Sequence, residues 1–296
     1  MGGKAFARLT SGVAAGLVAL MSVGVAFAAD AITGQPQPWE VTMQAPFSPI
    51  AEDIHAFHNL LLVIITIVSL FVLGLLVYVA VRFNEKANPV PSKVTHNSTI
   101  EVVWTVVPVI ILVIIAIPSF RLLRKQETMP SNVDMTVKVT GNQWYWGIEY
   151  PEANAGFKFD ALMLEDKDRE VAIKAGKPAV EVPHLLAVDN ELVVPVNKVV
   201  RIQVTAADVI HSFSVPALGF RKDAVPGRLN ETWFQATKEG VYYGQCSRLC
   251  GKNHAFMPIA IRVVSDEKYA AWLADAKKKY AAIDGKTQVA STAEVR

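Results

Sequence analysis

V-Y-Y-G-Q-C-S-R-L-C-G-K-N-H-A-F-M-P-I-A-I-R-V-V, residues 241–264, reads as strand, loop, strand. Residues 241–245 are aromatic and β-branched. Ile259, Ile261 and Val263 recur with period two, the spacing of a strand with one buried face. Gly251, Asn253 and Pro258 oppose a continuous helix between the two. A loop closed by flanking strands can fold back and aim several side chains at one point. The same period runs upstream. Val133, Met135, Val137 and Val139 alternate with Asp134, Thr136, Lys138 and Thr140, and Val200, Ile202 and Val204 alternate with Arg201, Gln203 and Thr205. Turn signals at Gly141-Asn142, Asp189-Asn190 and Pro226-Gly227 separate the runs. This pattern predicts an antiparallel sandwich or barrel of roughly 130 residues, over 128–265. Residues 164–184 are charged and poorly periodic, a surface excursion. Residues 266–283 read as an amphipathic helix, with Tyr269, Trp272 and Leu273 opposite Lys277, Lys278 and Lys279; the tail to 296 is expected to be disordered.

The chain is 52% hydrophobic over 296 residues, and the excess lies in the first 120. Residues 59–81 and 102–120 carry no charge. At ~1.5 Å rise per residue each covers the ~30 Å hydrocarbon core of a bilayer. Pro108 and Pro118 are tolerated in a membrane helix, where neighbouring groups satisfy the freed carbonyls. Residues 29–125 therefore read as an N-terminal segment and a two-helix transmembrane hairpin. The connector carries Arg82, Lys86 and Lys93, so the positive-inside rule puts it in the cytoplasm and the mature N-terminus and β-domain outside. Residues 1–28 have the make-up of a signal peptide: Lys4 and Arg8, an apolar stretch, then Ala26-Phe27-Ala28. The net charge of +2, with no basic run, excludes a nucleic-acid role. There is no phosphate-binding glycine loop and no G-x-S-x-G.

Both cysteines of the chain, Cys246 and Cys250, fall in the loop, with His254 and Met257 following. Two thiolates, an imidazole and a thioether are soft or borderline ligands that suit copper best. His211, in D-V-I-H-S-F at the end of the strand that holds Val200 to Thr205, is the candidate second imidazole. Other readings fit less well. A disulfide would leave His254 and Met257 unexplained; structural zinc favours Cys-x2-Cys and has little use for a thioether. Haem attachment requires C-x-x-C-H, which is absent. Two thiolates can bridge two coppers and spread one electron over both, so bond lengths change little on reduction. Such a site relays electrons.

Two membrane spans, a secreted β-domain, D-V-I-H-S-F, D-A-V-P-G-R (223–228), Y-Y-G-Q-C-S (242–247) and C-x3-C-G-x2-H-x-F-M-P-I together closely resemble subunit II of the haem-copper cytochrome c oxidases, over residues of about 40 to 275. The signal peptide and the 164–184 segment resemble a bacterial member. The resemblance implies a cupredoxin-like Greek-key barrel that holds the dinuclear copper centre CuA. Cys246 and Cys250 would bridge; His211 and His254 would each bind one copper; Met257 and the backbone carbonyl of Arg248 would be weak ligands. Trp144, in G-N-Q-W-Y-W-G (141–147), would be the point where electrons arrive from cytochrome c. Asp189 and Asp208 match acidic docking positions. Glu101 matches the glutamate at the mouth of a proton pathway of the catalytic subunit, subunit I, which holds the haem, reduces oxygen and pumps protons. The implied location is the bacterial inner membrane, with the copper domain periplasmic.

One position departs from the family. Between its cysteines the family usually has an acid that helps hold Mg or Mn at the border with subunit I. Here Arg248 stands in its place. A guanidinium has no acceptor and cannot ligate a cation, so the Mg/Mn site through this subunit is in doubt. A copper-binding CuA domain of another reductase would lack the two spans, and a copper-delivery chaperone would show a thioredoxin-like α/β pattern.

Overall fold

The computed structural model describes residues 33–151 and 156–281. The expected signal peptide (1–28) and the end of the tail lie outside the described residues. Two long helices lead. Helix α1 spans Pro49–Arg82 and α2 spans Ser98–Glu127. None of the side chains of their apolar windows is buried. Such surfaces are stable only in an apolar solvent, so the helices are membrane spans. Both run past the charge-free windows because polar caps extend them. The Ser48 hydroxyl accepts from Ala51 N–H at 3.1 Å and donates to the Leu218 carbonyl at 2.8 Å, which fastens the start of α1 to the β-domain. Gly219 is needed there: its φ is +73° and a Cβ would lie 2.6 Å from the Ala51 nitrogen. At the start of α2, Asn97 caps Thr99 and Ile100 N–H, and the Glu101 carboxylate accepts from Asn97 N–H at 3.1 Å. Pro108 and Pro118 both lie inside α2. An Asp53–Lys125 ion pair joins the two helices at the β-domain end, and Lys222 reaches Glu127 at 2.7 Å.

The β-domain is two sheets over one core. One has the order β4 (Phe157–Ala161), β3 (Tyr145–Tyr150), β2 (Met135–Asn142), β6 (Val200–Ala206), β9 (Asn230–Phe234). The other has the order β5 (Leu192–Pro195), β11 (Pro258–Val264), β10 (Gly240–Cys246), β7 (His211–Val215), β8 (Phe220–Ala224), with β1 (Thr33–Gly34) also pairing with β10. From β2 onward the chain crosses between sheets after β4, β5, β6, β8 and β9, which gives the all-β, two-sheet barrel expected. The alternation read from sequence appears as burial: Met135, Val137 and Val139 on β2, and Val200, Ile202 and Val204 on β6, face the core. Each such side chain contributes about 1.5–3 kcal/mol of hydrophobic burial.

Four details differ from the sequence reading. The sheets are mixed, because β2 pairs with β6 in parallel and β11 with β5 in parallel. Long connections permit this where hairpin turns do not. His211 does not end the strand of Val200–Thr205; it begins β7, in the other sheet. Gly141-Asn142, read as a turn, continues the β2–β3 ladder, and the turn is at Gln143-Trp144. The excursion contains a nine-residue helix, α3 (Asp166–Lys174). The helix expected over 266–283 is observed as α4, Asp266–Ala281, and Trp272 and Tyr280 stack on Tyr150, Phe157 and Phe159.

Candidate metal centre

Register brings the donors together. Strand β10 pairs with β7 through Cys246↔Phe213 and with β11 through Gln245↔Pro258. Cys246 thus sits at the end of a central strand, next to the strand that starts with His211, and the loop 247–257 closes over both. Ser247 N–H donates to the Ser212 carbonyl at 3.1 Å, and Cys246 N–H to the Met257 carbonyl at 3.3 Å, so both ends of the loop are fixed.

The side chains form one continuous set of contacts. Cys246 Sγ lies 3.8 Å from Cys250 Sγ, 4.0 Å from His211 Nδ1 and 3.2 Å from the Arg248 carbonyl oxygen. Cys250 Sγ lies 3.5 Å from His254 Nδ1 and 3.6 Å from Met257 Sδ. His211, both cysteines and Met257 are buried, and His254 is half-buried. The cysteines are free, and their sulfurs are far beyond the ~2.05 Å of a disulfide. The ligand atoms of His211, Cys246 and Cys250 all lie within 4.8 Å of one another, close enough to hold a metal ion. Two soft thiols, two imidazole nitrogens, a thioether and a carbonyl on one small buried volume fit copper rather than a hard cation. Sequence reasoning named all six donors, and the fold brings all six together.

Without metal, the thiols differ. Burial opposes charge on Cys246, but hydrogen bonding from His211, with further bonding at Arg248, Ser212 and His254, lowers its pKa to about 6. Burial and then the neighbouring Cys246 charge push Cys250 up to about 12. Burial works against a charge on His211 too, yet Cys246 and Asp208 hold its pKa above the ordinary histidine value.

Several supporting residues carried no sequence signal for these roles. The Asp208 carboxylate accepts from His211 Nε2–H at 2.8 Å and from the Val209 and Gln143 amides. That bond fixes the ring with Nδ1 turned toward the Cys246 sulfur. Burial opposes the Asp208 charge, but these bonds keep its pKa below the ordinary carboxylate value. Trp146 stacks edge-on to His211, ring centroids 5.9 Å apart, and donates Nε1–H to the Met257 carbonyl at 3.3 Å. The Cys250 carbonyl accepts from Gln143 Nε2 at 2.7 Å and from Trp144 Nε1 at 3.3 Å. The Arg248 guanidinium turns away from the donors and meets Asp223 at 2.5 Å.

The remaining expected residues lie apart from the donors. Asp189 precedes β5 and accepts from the Leu162 and Asn190 amides. Glu101 is in the first turn of α2, in the membrane hairpin. Asp160 was not singled out; β3–β4 register places it opposite Gly147. Its charge, with that of Asp208, acts on Tyr145, whose hydroxyl is raised mainly by burial.

Known proteins similar to this chain cover both of its parts. Residues 135–264 match the family "Cytochrome C oxidase subunit II, periplasmic domain", and residues 36–122 match "Cytochrome C oxidase subunit II, transmembrane domain". A probable cytochrome c oxidase subunit 2 of Rickettsia felis is 54% identical over 252 residues, 85% of this chain and 76% of that protein. The cytochrome c oxidase subunit 2 of Cereibacter sphaeroides is 47% identical over 274 residues, 89% of each. The solved periplasmic domain of subunit II of the cytochrome oxidase of Bradyrhizobium japonicum is 57% identical, covers 51% of this chain and 99% of its own, and superposes with a TM-score of 0.45.

Proposed function

The chain belongs to the cytochrome c oxidase subunit II family, and from that premise we propose that it is the subunit through which electrons enter a proton-pumping terminal oxidase. It is a membrane protein with a periplasmic domain and a subunit of cytochrome c oxidase. In this reading the periplasmic domain accepts electrons from cytochrome c and delivers them to haem in subunit I. The observation that carries it is the convergence of six donors: His211, Cys246, Cys250, His254, Met257 and the Arg248 carbonyl. Two coppers bound there as CuA would supply a one-electron carrier with the charge shared between both metals. The chain's own part is to hold these donors still. Strand ladders fix Cys246 and His211, Asp208 orients the His211 imidazole, and burial excludes water from the sulfurs.

Trp144 is the proposed arrival point for electrons. Its ring is partly exposed in the β2–β3 turn, and one hydrogen bond connects it to the Cys250 carbonyl. Asp189 and Asp208, joined by Asp160, would attract the basic face of cytochrome c beside it; such charges steer association more than they set affinity. Glu101 would sit at the cytoplasmic mouth of a proton pathway in subunit I, since it lies beside the Arg82–Lys93 connector. Arg248 supplies no oxygen for Mg or Mn, and its guanidinium is held by Asp223, so the chain offers that cation nothing from this side chain. Residues 1–28 would be removed as the signal peptide.

The test is to load the purified full-length chain with copper and record its electron paramagnetic resonance and visible spectra, with metal analysis. One unpaired spin shared over two coppers is expected. A single-copper spectrum, or tight zinc binding without colour, would overturn the reading.

A further inference from the structure

At the start of the membrane hairpin the arm before α1 lies against the first two turns of that helix and borders a half-open cavity of about 330 Å³. Its wall includes Glu40, Thr42, Met43, Gln44, Ile54 and His55. We propose that this cavity is a binding site for the primary ammonium headgroup of a phospholipid, of the phosphatidylethanolamine class, in the outer leaflet.

Three observations carry it. The first is polarity. Gln44 Oε1 is buried and has no hydrogen-bond partner among the described residues. A buried acceptor left unpaired is costly, so the site requires a donor. Glu40 Oε2 takes the Gln37 amide at 3.1 Å, which leaves the other carboxylate oxygen for a second bond. Among the described residues no Lys or Arg lines the cavity. The pair of acceptors suits a group with several N–H donors and a positive charge; a quaternary ammonium has no N–H to give. Thr42 and His55 can meet the phosphate and ester oxygens.

The second is depth. The cavity wall on α1 is Ala51, Ile54 and His55, and the charge-free run begins at Asn59. Four residues of helix are about 6 Å, the thickness of the headgroup layer above the hydrocarbon core. Met43 and Ile54 supply an apolar side for the start of the acyl chains. The third is the arm itself. Trp39 is 97% exposed and Val41 is fully exposed, and both flank the cavity residues. Large apolar side chains in this position fit the membrane interface, where tryptophan is enriched.

The test uses the assembled oxidase, stripped of lipid in detergent and titrated with dioleoyl phosphatidylethanolamine or dioleoyl phosphatidylcholine, with bound lipid counted by native mass spectrometry. Retention of the ethanolamine lipid should exceed that of the choline lipid, and Gln44→Leu and Glu40→Gln should each weaken it about tenfold, the worth of one charge-assisted hydrogen bond. Glu40→Gln changes a half-exposed side chain, so it keeps the test open if Gln44→Leu fails to fold. Equal retention of both lipids, or unchanged retention in both variants, overturns the proposal. The full-length chain alone, in the same titration, separates the sources of the amine. If it binds the ethanolamine lipid while the intact complex does not, a lysine of a neighbouring subunit fills the cavity, and the lipid assignment fails.

Discussion

The two halves of the donor set are held in different ways. His211 and Cys246 stand at the ends of paired strands, and the backbone ladder fixes them. Cys250, His254 and Met257 come from a loop with a short turn at His254–Phe256, which no ladder holds. Apart from the Cys246 N–H bond to the Met257 carbonyl, that half is tied by side chains of a hairpin in the other sheet: Gln143 and Trp144 bind the Cys250 carbonyl, and Trp146 binds the Met257 carbonyl. The stiffness of the loop is thus borrowed from residues more than 100 positions away, since these contacts span 107, 106 and 111 residues. A rigid site can be built from a segment without strand pairing when its carbonyls are used as handles.

The contrast can be tested by breaking each half in turn. The largest effect belongs to Cys246→Ser, which removes the strand-half sulfur that touches Cys250 of the loop half; copper content by metal analysis should collapse, and the shared-spin spectrum should vanish. Trp146→Ala comes next. It empties a fully buried site and should cost about 3–5 kcal/mol of domain stability in a denaturant melt of the metal-free protein, with the loop half loosened before the strand half. A melt unchanged from wild type would show that the loop does not depend on the hairpin.

Asp208→Ala acts first on the strand half, through His211, and also frees the Gln143 amide. Copper affinity, measured by competition with a chelator, should fall about 10–100-fold, because His211 loses the bond that sets its tautomer. The same carboxylate gives a pH signature. Its folded pKa is depressed, so its contribution to stability is present above the ordinary carboxylate range and is lost as pH falls through the folded value. Wild type should therefore lose more stability on acidification than Asp208→Ala; parallel acid titrations of the two would refute this. Gln143→Ala loosens the loop half by one hydrogen bond, about 1 kcal/mol, visible as a shift in the reduction potential with copper content intact. The smallest effect is that of Asp189→Asn. It is remote from both halves, so it should lower only the rate of reduction by cytochrome c, and only at low ionic strength.

Legibility followed the same division. The donors could be read because their chemistry is local: two thiols, His254 and Met257 within one loop, flanked by period-two strands. The membrane hairpin could be read for a similar reason, since absence of charge over a bilayer's length is a property of composition. His211 was found by its chemistry, but it was assigned to the wrong strand, because the crossing between sheets after β6 leaves no period in the sequence. Gly141-Asn142 reads as a turn in the sequence, yet the register of β2 with β3 and β6 carries the ladder through it, and the turn falls at Gln143-Trp144.

The chain by itself determined which atoms can bind metal, which segments must lie in lipid, and which faces of the strands are buried, because each depends on residue type and short spacing. Only tertiary structure decided that Asp208 serves His211, that Arg248 turns to Asp223, and that the β2–β3 hairpin grips the loop. Those contacts join residues distant in sequence, and their partners are selected by sheet register and packing, which no single segment encodes.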